Sequence, residues 1–84
     1  MHPFAGEAFP PNGQLFVFDE EDVVVYSRRK PAGVLPTEIL RASGLPEGTY
    51  DVVVMGNRPF KRTYVIEHIV PVVAPQVQVR PVFR

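Results

Sequence analysis

The chain has no cysteine and no tryptophan, and only two of its 84 residues are histidine. Without cysteine, neither a disulfide framework nor a zinc finger can supply stability. No apolar run exceeds a few residues, which excludes a transmembrane helix, and no membrane partner is expected. Met1-His2-Pro3-Phe4 offers neither a basic nor an apolar leader region, so no signal peptide is expected there, and a cytoplasmic or virion setting fits better than secretion. No glycine-rich phosphate loop occurs, Ser27 and Ser43 lie in no nucleophile elbow, and His2 and His68 stand in an arm and a strand. No nucleophile with a base can be assembled from these residues, so neither an enzyme activity nor a cofactor is expected. Lysine and arginine are missing from residues 1–27, which carry Glu7, Asp19, Glu20, Glu21 and Asp22.

All nine cations therefore fall in residues 28–84, against Glu38, Glu47, Asp51 and Glu67, so a net charge of zero conceals a split of −5 against +5. Seven of the nine are arginine, the side chain suited to phosphate and carboxylate forks. A chain polarised in this way can hold an anion on one side or bind its own copies head to tail. A length of 84 residues makes a single domain. At this size roughly 60–65% of the unfolded surface is buried, so the core is marginal unless partners cover more of it. The ten prolines crowd the two ends.

The pattern along the chain predicts a mainly β fold with one short helix, as a small β-barrel or a swapped-hairpin-like sheet, in an oligomer. Residues 1–13 read as an extended proline-rich arm, residues 14–73 as a compact β-rich domain, and residues 74–84 as an extended C-terminal strand or arm. Leu15-Phe16-Val17-Phe18 is a strand, Asp19-Glu20-Glu21-Asp22 a charged turn, and Val23-Val24-Val25-Tyr26 the return strand of a hairpin. Ser27 to Gly33 reads as a basic loop. Pro36 to Ser43 reads as the helix, because proline suits its first position, Glu38 and Arg41 complement its dipole, and Gly44 can take the left-handed stop with Leu45 making the next apolar contact. From Thr49 to Met55, Tyr50, Val52 and Val54 share one face. Gly56-Asn57-Arg58-Pro59 is a turn. Lys61 to Val70 is a strand apolar on both faces, as where two layers or two subunits cover it. Gln76 to Phe83 alternates, with Pro81 confining it to a sheet edge.

Two candidate sites stand out. Arg28, Arg29 and Lys30, with Arg41, Arg58, Lys61 and Arg62, are candidates for nucleic-acid contact, since loops beside strand ends can deliver cations to phosphates. Phe4, Phe9, Val82 and Phe83 in the arms, and Asp19, Glu20, Glu21 and Asp22 at the hairpin tip, are candidates for binding a partner. The acidic run lacks the alternate ligand spacing around a glycine that calcium loops use, so it reads as a solvated tip and no metal site is expected. His68 reads as a satisfied core or edge residue.

The stretch from about Asp22 to Val70 resembles the AbrB/MazE swapped-hairpin DNA-binding family. Leu35-Pro36, Glu38-Ile39, Arg41, Gly44-Leu45, Gly48 and residues 50–54 follow the order of its pattern. The arginine that leads that pattern is missing before Val34-Leu35-Pro36, Ser43 replaces an apolar residue, and the N-terminal hairpin is extra. The resemblance implies a dimer with interleaved hairpins, and Arg28, Arg29 and Arg41 on double-stranded DNA. Two function classes follow. One is a dimeric nucleic-acid-binding regulator or antitoxin, which needs its cations in one exposed patch. The other is a non-enzymatic structural or assembly protein, a viral or particle component, whose arms and charge polarity hold neighbours in a homo-oligomer or larger protein assembly.

Overall fold

A computed structural model describes residues 12–56, 59–69 and 76–82. The expectations for Phe4, Phe9, Arg58 and Phe83, and for most of the proline-rich arm, fall outside these residues. Among the described residues, five strands form one antiparallel sheet: β1 (Gly13–Phe18), β2 (Val24–Lys30), β3 (Gly48–Met55), β4 (Phe60–Ile69) and β5 (Gln76–Val82), with one helix, α1 (Pro36–Arg41), between β2 and β3. Their order across the sheet is β2-β1-β3-β4-β5. Among the described residues the sheet is open, with β2 and β5 at its edges, and does not close into the barrel that the pattern also allowed.

Alternation assigns the two faces. Leu15 and Val17 of β1 pair in register with Val54 and Val52 of β3, and Tyr50 pairs with Tyr64 of β4. Ile66 in turn pairs with Val79 of β5. All of these side chains are buried, together with Ile39 and Leu40 of α1, so the core lies between the helix and one sheet face. Each such large side chain contributes about 1.5–3 kcal/mol by leaving water. β2 and β3 are both antiparallel to β1 and lie on either side of it. The segment carrying α1 therefore crosses over β1 on the covered face.

Helix α1 begins at Pro36 and presents Pro36, Ile39 and Leu40 to the core. It ends two residues before the expected Ser43. The Ala42 and Ser43 amides donate to the carbonyls of Ile39 and Leu40, three residues back, at 3.2 and 3.1 Å. That spacing tightens the last turn out of α geometry. Gly44 takes the left-handed conformation (φ 78°), and Leu45 packs against the core as expected.

Two further expectations are corrected. The basic stretch is not a loop: β2 runs through Lys30, because Gly13, Gln14 and Leu15 of β1 supply ladder partners to Lys30, Arg29 and Arg28. Charged residues are tolerated there since β2 is an edge strand. Among the described residues β4 is buried on one face: Tyr64 and Ile66 are buried, whereas Thr63 and Val65 on the other face are half-buried and Lys61 is exposed. Pro81 does lie in an edge strand, opposite Tyr64.

Where β1 begins beside the end of β3, the backbones approach closely. A Cβ on Gly13, whose φ is 150°, would lie 1.9 Å from the Met55 carbonyl oxygen. Gly13→Ala should therefore lower stability by about 1–3 kcal/mol, seen in chemical denaturation, while Gly33→Ala meets only the strain of its φ of 86° and no contact. The core also makes a titration prediction. Burial pushes the Tyr64 hydroxyl up to about 12, from an ordinary value of 10.0. The unfolded chain releases this proton earlier than the folded one, so the stabilising contribution is present below pH 10 and declines as pH rises from about 10 through about 12. Absorbance titration should show one tyrosine ionising last, and Tyr64→Phe should remove that phase.

Candidate interaction surface

The acidic tip is built by Asp19. Its carboxylate accepts from the Glu21 and Val23 amides at 2.8 and 3.0 Å, its amide donates to the Val23 carbonyl at 2.9 Å, and its carbonyl accepts from the Asp22 amide at 3.0 Å. Asp22 turns with φ 63°, a conformation aspartate tolerates better than most side chains. Asp19 is thus committed to the turn, while Glu20, Glu21 and Asp22 are exposed. Asp19, Glu20 and Asp22 line a hollow of about 200 Å³ with Thr49 and Asp51. Asp51 itself accepts from the Thr63 hydroxyl at 2.6 Å. The Tyr50 hydroxyl donates to the Pro46 carbonyl at 2.7 Å, and its pKa is raised by burial first and by the charges of Asp19 and Glu20 next.

The cations are scattered. Arg28 and Arg29 are exposed on β2 and, being adjacent in a strand, point to opposite faces. Arg28 Nε donates to the Arg29 carbonyl at 3.1 Å. Lys30 is fully buried (0% exposed), its Nζ donates to the Pro31 carbonyl at 3.1 Å, and burial lowers its pKa. It therefore stands apart from any exposed basic patch. Arg41 is exposed at the end of α1, Lys61 is exposed on the open face of β4, and Arg62 is half-buried with its guanidinium 6.0 Å from the Phe60 ring centre. Arg80, which was not singled out from sequence, pairs with Glu67 across β4 and β5 at 3.1 Å. His68 is exposed near the end of β4, its amide donating to Glu47 at 2.6 Å and its ring Nε2 lying 3.2 Å from the Leu45 carbonyl. Among the described residues, no cluster of three or more histidines and carboxylates could hold a metal. No helix among them is long and apolar enough to cross a membrane.

Apolar surface left uncovered is the feature that the expected site residues missed. Val23, Val24 and Met55 are 52%, 48% and 55% exposed. On the face away from α1, the register aligns Ser27, Phe16, Val53 and Lys61 in one row across four strands, with Arg29, Gln14 and Met55 in the next row. On the other side of that row lie Phe18, Asp51, Thr63 and Val82. Phe16, Phe18, Val53 and Val82 are half-buried. The signal was present in Leu15-Phe16-Val17-Phe18, since four consecutive apolar residues in a strand load both faces. A hollow of about 220 Å³ on this face is lined by Phe18, Asp22, Asp51, Val53 and Lys61.

Comparison with protein-family models, curated proteins and solved structures finds no match for this chain.

The hairpin tip provides a local test. Asp19→Ala should lose both side-chain caps, costing about 1 kcal/mol. Hydrogen exchange at the Glu21 and Val23 amides should speed up while the amides of β3 keep their protection.

Proposed function

We propose that this protein is a non-enzymatic assembly module that binds protein neighbours through the apolar surface its own helix leaves open. One observation carries this reading: Phe16, Phe18, Val53 and Met55 lie together on the uncovered sheet face, between the basic Arg29 and Lys61 and the acidic Asp22 and Asp51. Apolar surface rimmed by charges of both signs suits a protein partner, because burial supplies affinity and the charges supply register. Asp22 of the hairpin tip lines this surface and Val82 lies in its outer row, two of the residues read from sequence as partner-binding.

A second reading, a nucleic-acid-binding regulator of the AbrB/MazE kind, draws on Arg28 and Arg29, adjacent on an edge strand and exposed, with no ion pair to a described residue. The other candidate cations do not join them: Lys30 is buried, Arg62 sits beside Phe60, and Arg41 lies on the helix.

Sedimentation velocity at micromolar concentration, alongside titration with duplex DNA, separates the two. The assembly reading expects a mass above the monomer and no DNA affinity beyond the nonspecific level at physiological salt. Affinity that falls with salt by about 0.9 log unit per phosphate contact, and that Arg28→Ala with Arg29→Ala abolishes, would replace it with the nucleic-acid reading.

A further inference from the structure

We infer that the open sheet face is the seat of a second copy of this chain, packed sheet to sheet about a two-fold axis that lies over the Phe16–Val53 row. This rests on the assembly reading and assigns the partner and its geometry. The face carries a knob and a hole. Met55 projects at 55% exposure in the row of Arg29, and the hollow of about 220 Å³ lies on the other side of the Phe16–Val53 row. Met55 and Asp51, which lines the hollow, are four residues apart on β3, about 13 Å along the strand. A two-fold axis between the sheets and perpendicular to the strands keeps β3 over β3 and reverses the strand direction. It therefore sets the Met55 of each copy over the hollow of the other, whose floor is Phe18 and Val53.

Charge agrees with the same operation. Arg29 lies in the Met55 row, and the operation carries it over the partner's β2 at Val24, next to Asp22. Asp22 is exposed, and neither it nor Arg29 has an ion pair to a described residue. A two-fold axis parallel to the strands and over β3 would instead exchange β2 with β5 and set Asp51 on Asp51 and Met55 on Met55, with no basic partner for the acids. Lys61 lies on the axis row and so faces the Lys61 of the other copy, a like-charge contact that its long stem relieves by leading the ammonium to water. Aligned sheets about 10 Å apart would then enclose Phe16, Phe18 and Val53 in a second core of the kind two-layer β proteins use. An isologous contact of this type closes on itself, so the expected product is a dimer.

The chain has no cysteine, so a single introduced thiol reports one position. Val53→Cys should yield a covalent dimer with a short bismaleimide, because Val53 faces its own copy across the axis. Gln78→Cys, exposed on the same face of β5 far from the axis, should not. Met55→Glu, with an unchanged circular dichroism spectrum, should weaken dimerisation by about tenfold or more and suppress cross-linking through Val53→Cys, because it drives a charge into the apolar hollow. If sedimentation still shows a dimer that Val53→Cys fails to link and Met55→Glu leaves intact, this geometry is overturned while the assembly reading stands. A wild-type chain that stays monomeric at high micromolar concentration overturns both.

Discussion

Among the described residues one helix of six residues faces a five-stranded sheet, and it covers one face. That constraint orders the rest of the molecule. Leu15, Val17, Tyr50, Val52, Val54, Tyr64, Ile66 and Val79 gather on the helix side with Ile39 and Leu40. Whatever apolar residues alternate with them are left on the other side. A helix of under two turns is unstable alone in water. Its place is secured by Ile39 and Leu40 in the core, by the Gly44 stop, and by the crossing over β1 that the strand order demands.

The charges follow from the same frame. The β1–β2 turn gathers four acidic residues at one end of the sheet, and Asp19 spends its carboxylate on the turn backbone while Glu20, Glu21 and Asp22 remain in water. The basic run lies along the outer strand. Strand geometry splits it, with Arg28 to one face, Arg29 to the other and Lys30 into the protein. The three cations that look like a patch in sequence are thus three different environments. Lys30 most clearly changes meaning: a side chain that reads as a phosphate contact is a buried group whose amine bonds the Pro31 carbonyl.

Much of the local structure could be read from residue order. The hairpin, the alternation of Tyr50, Val52 and Val54, the proline start and glycine stop of the helix, and the edge position of Pro81 all follow from rules that act within a few residues. The end of the helix and the length of β2 could not be read in this way. The helix ends early because its last amides choose nearer carbonyls. β2 runs on because β1 offers partners to residues that have no strand pattern of their own.

The sequence alone determined the mainly β character, the helix that starts at Pro36, the acidic turn and the separation of charge along the chain, because these depend on neighbours close in sequence. Only the tertiary structure decided that the sheet is open, which of its faces the helix covers, and that Phe16, Phe18, Val53 and Met55 share one surface with Arg29 and Lys61. Those facts depend on strand order and register, which bring together residues up to about half the chain apart, and no local pattern encodes them.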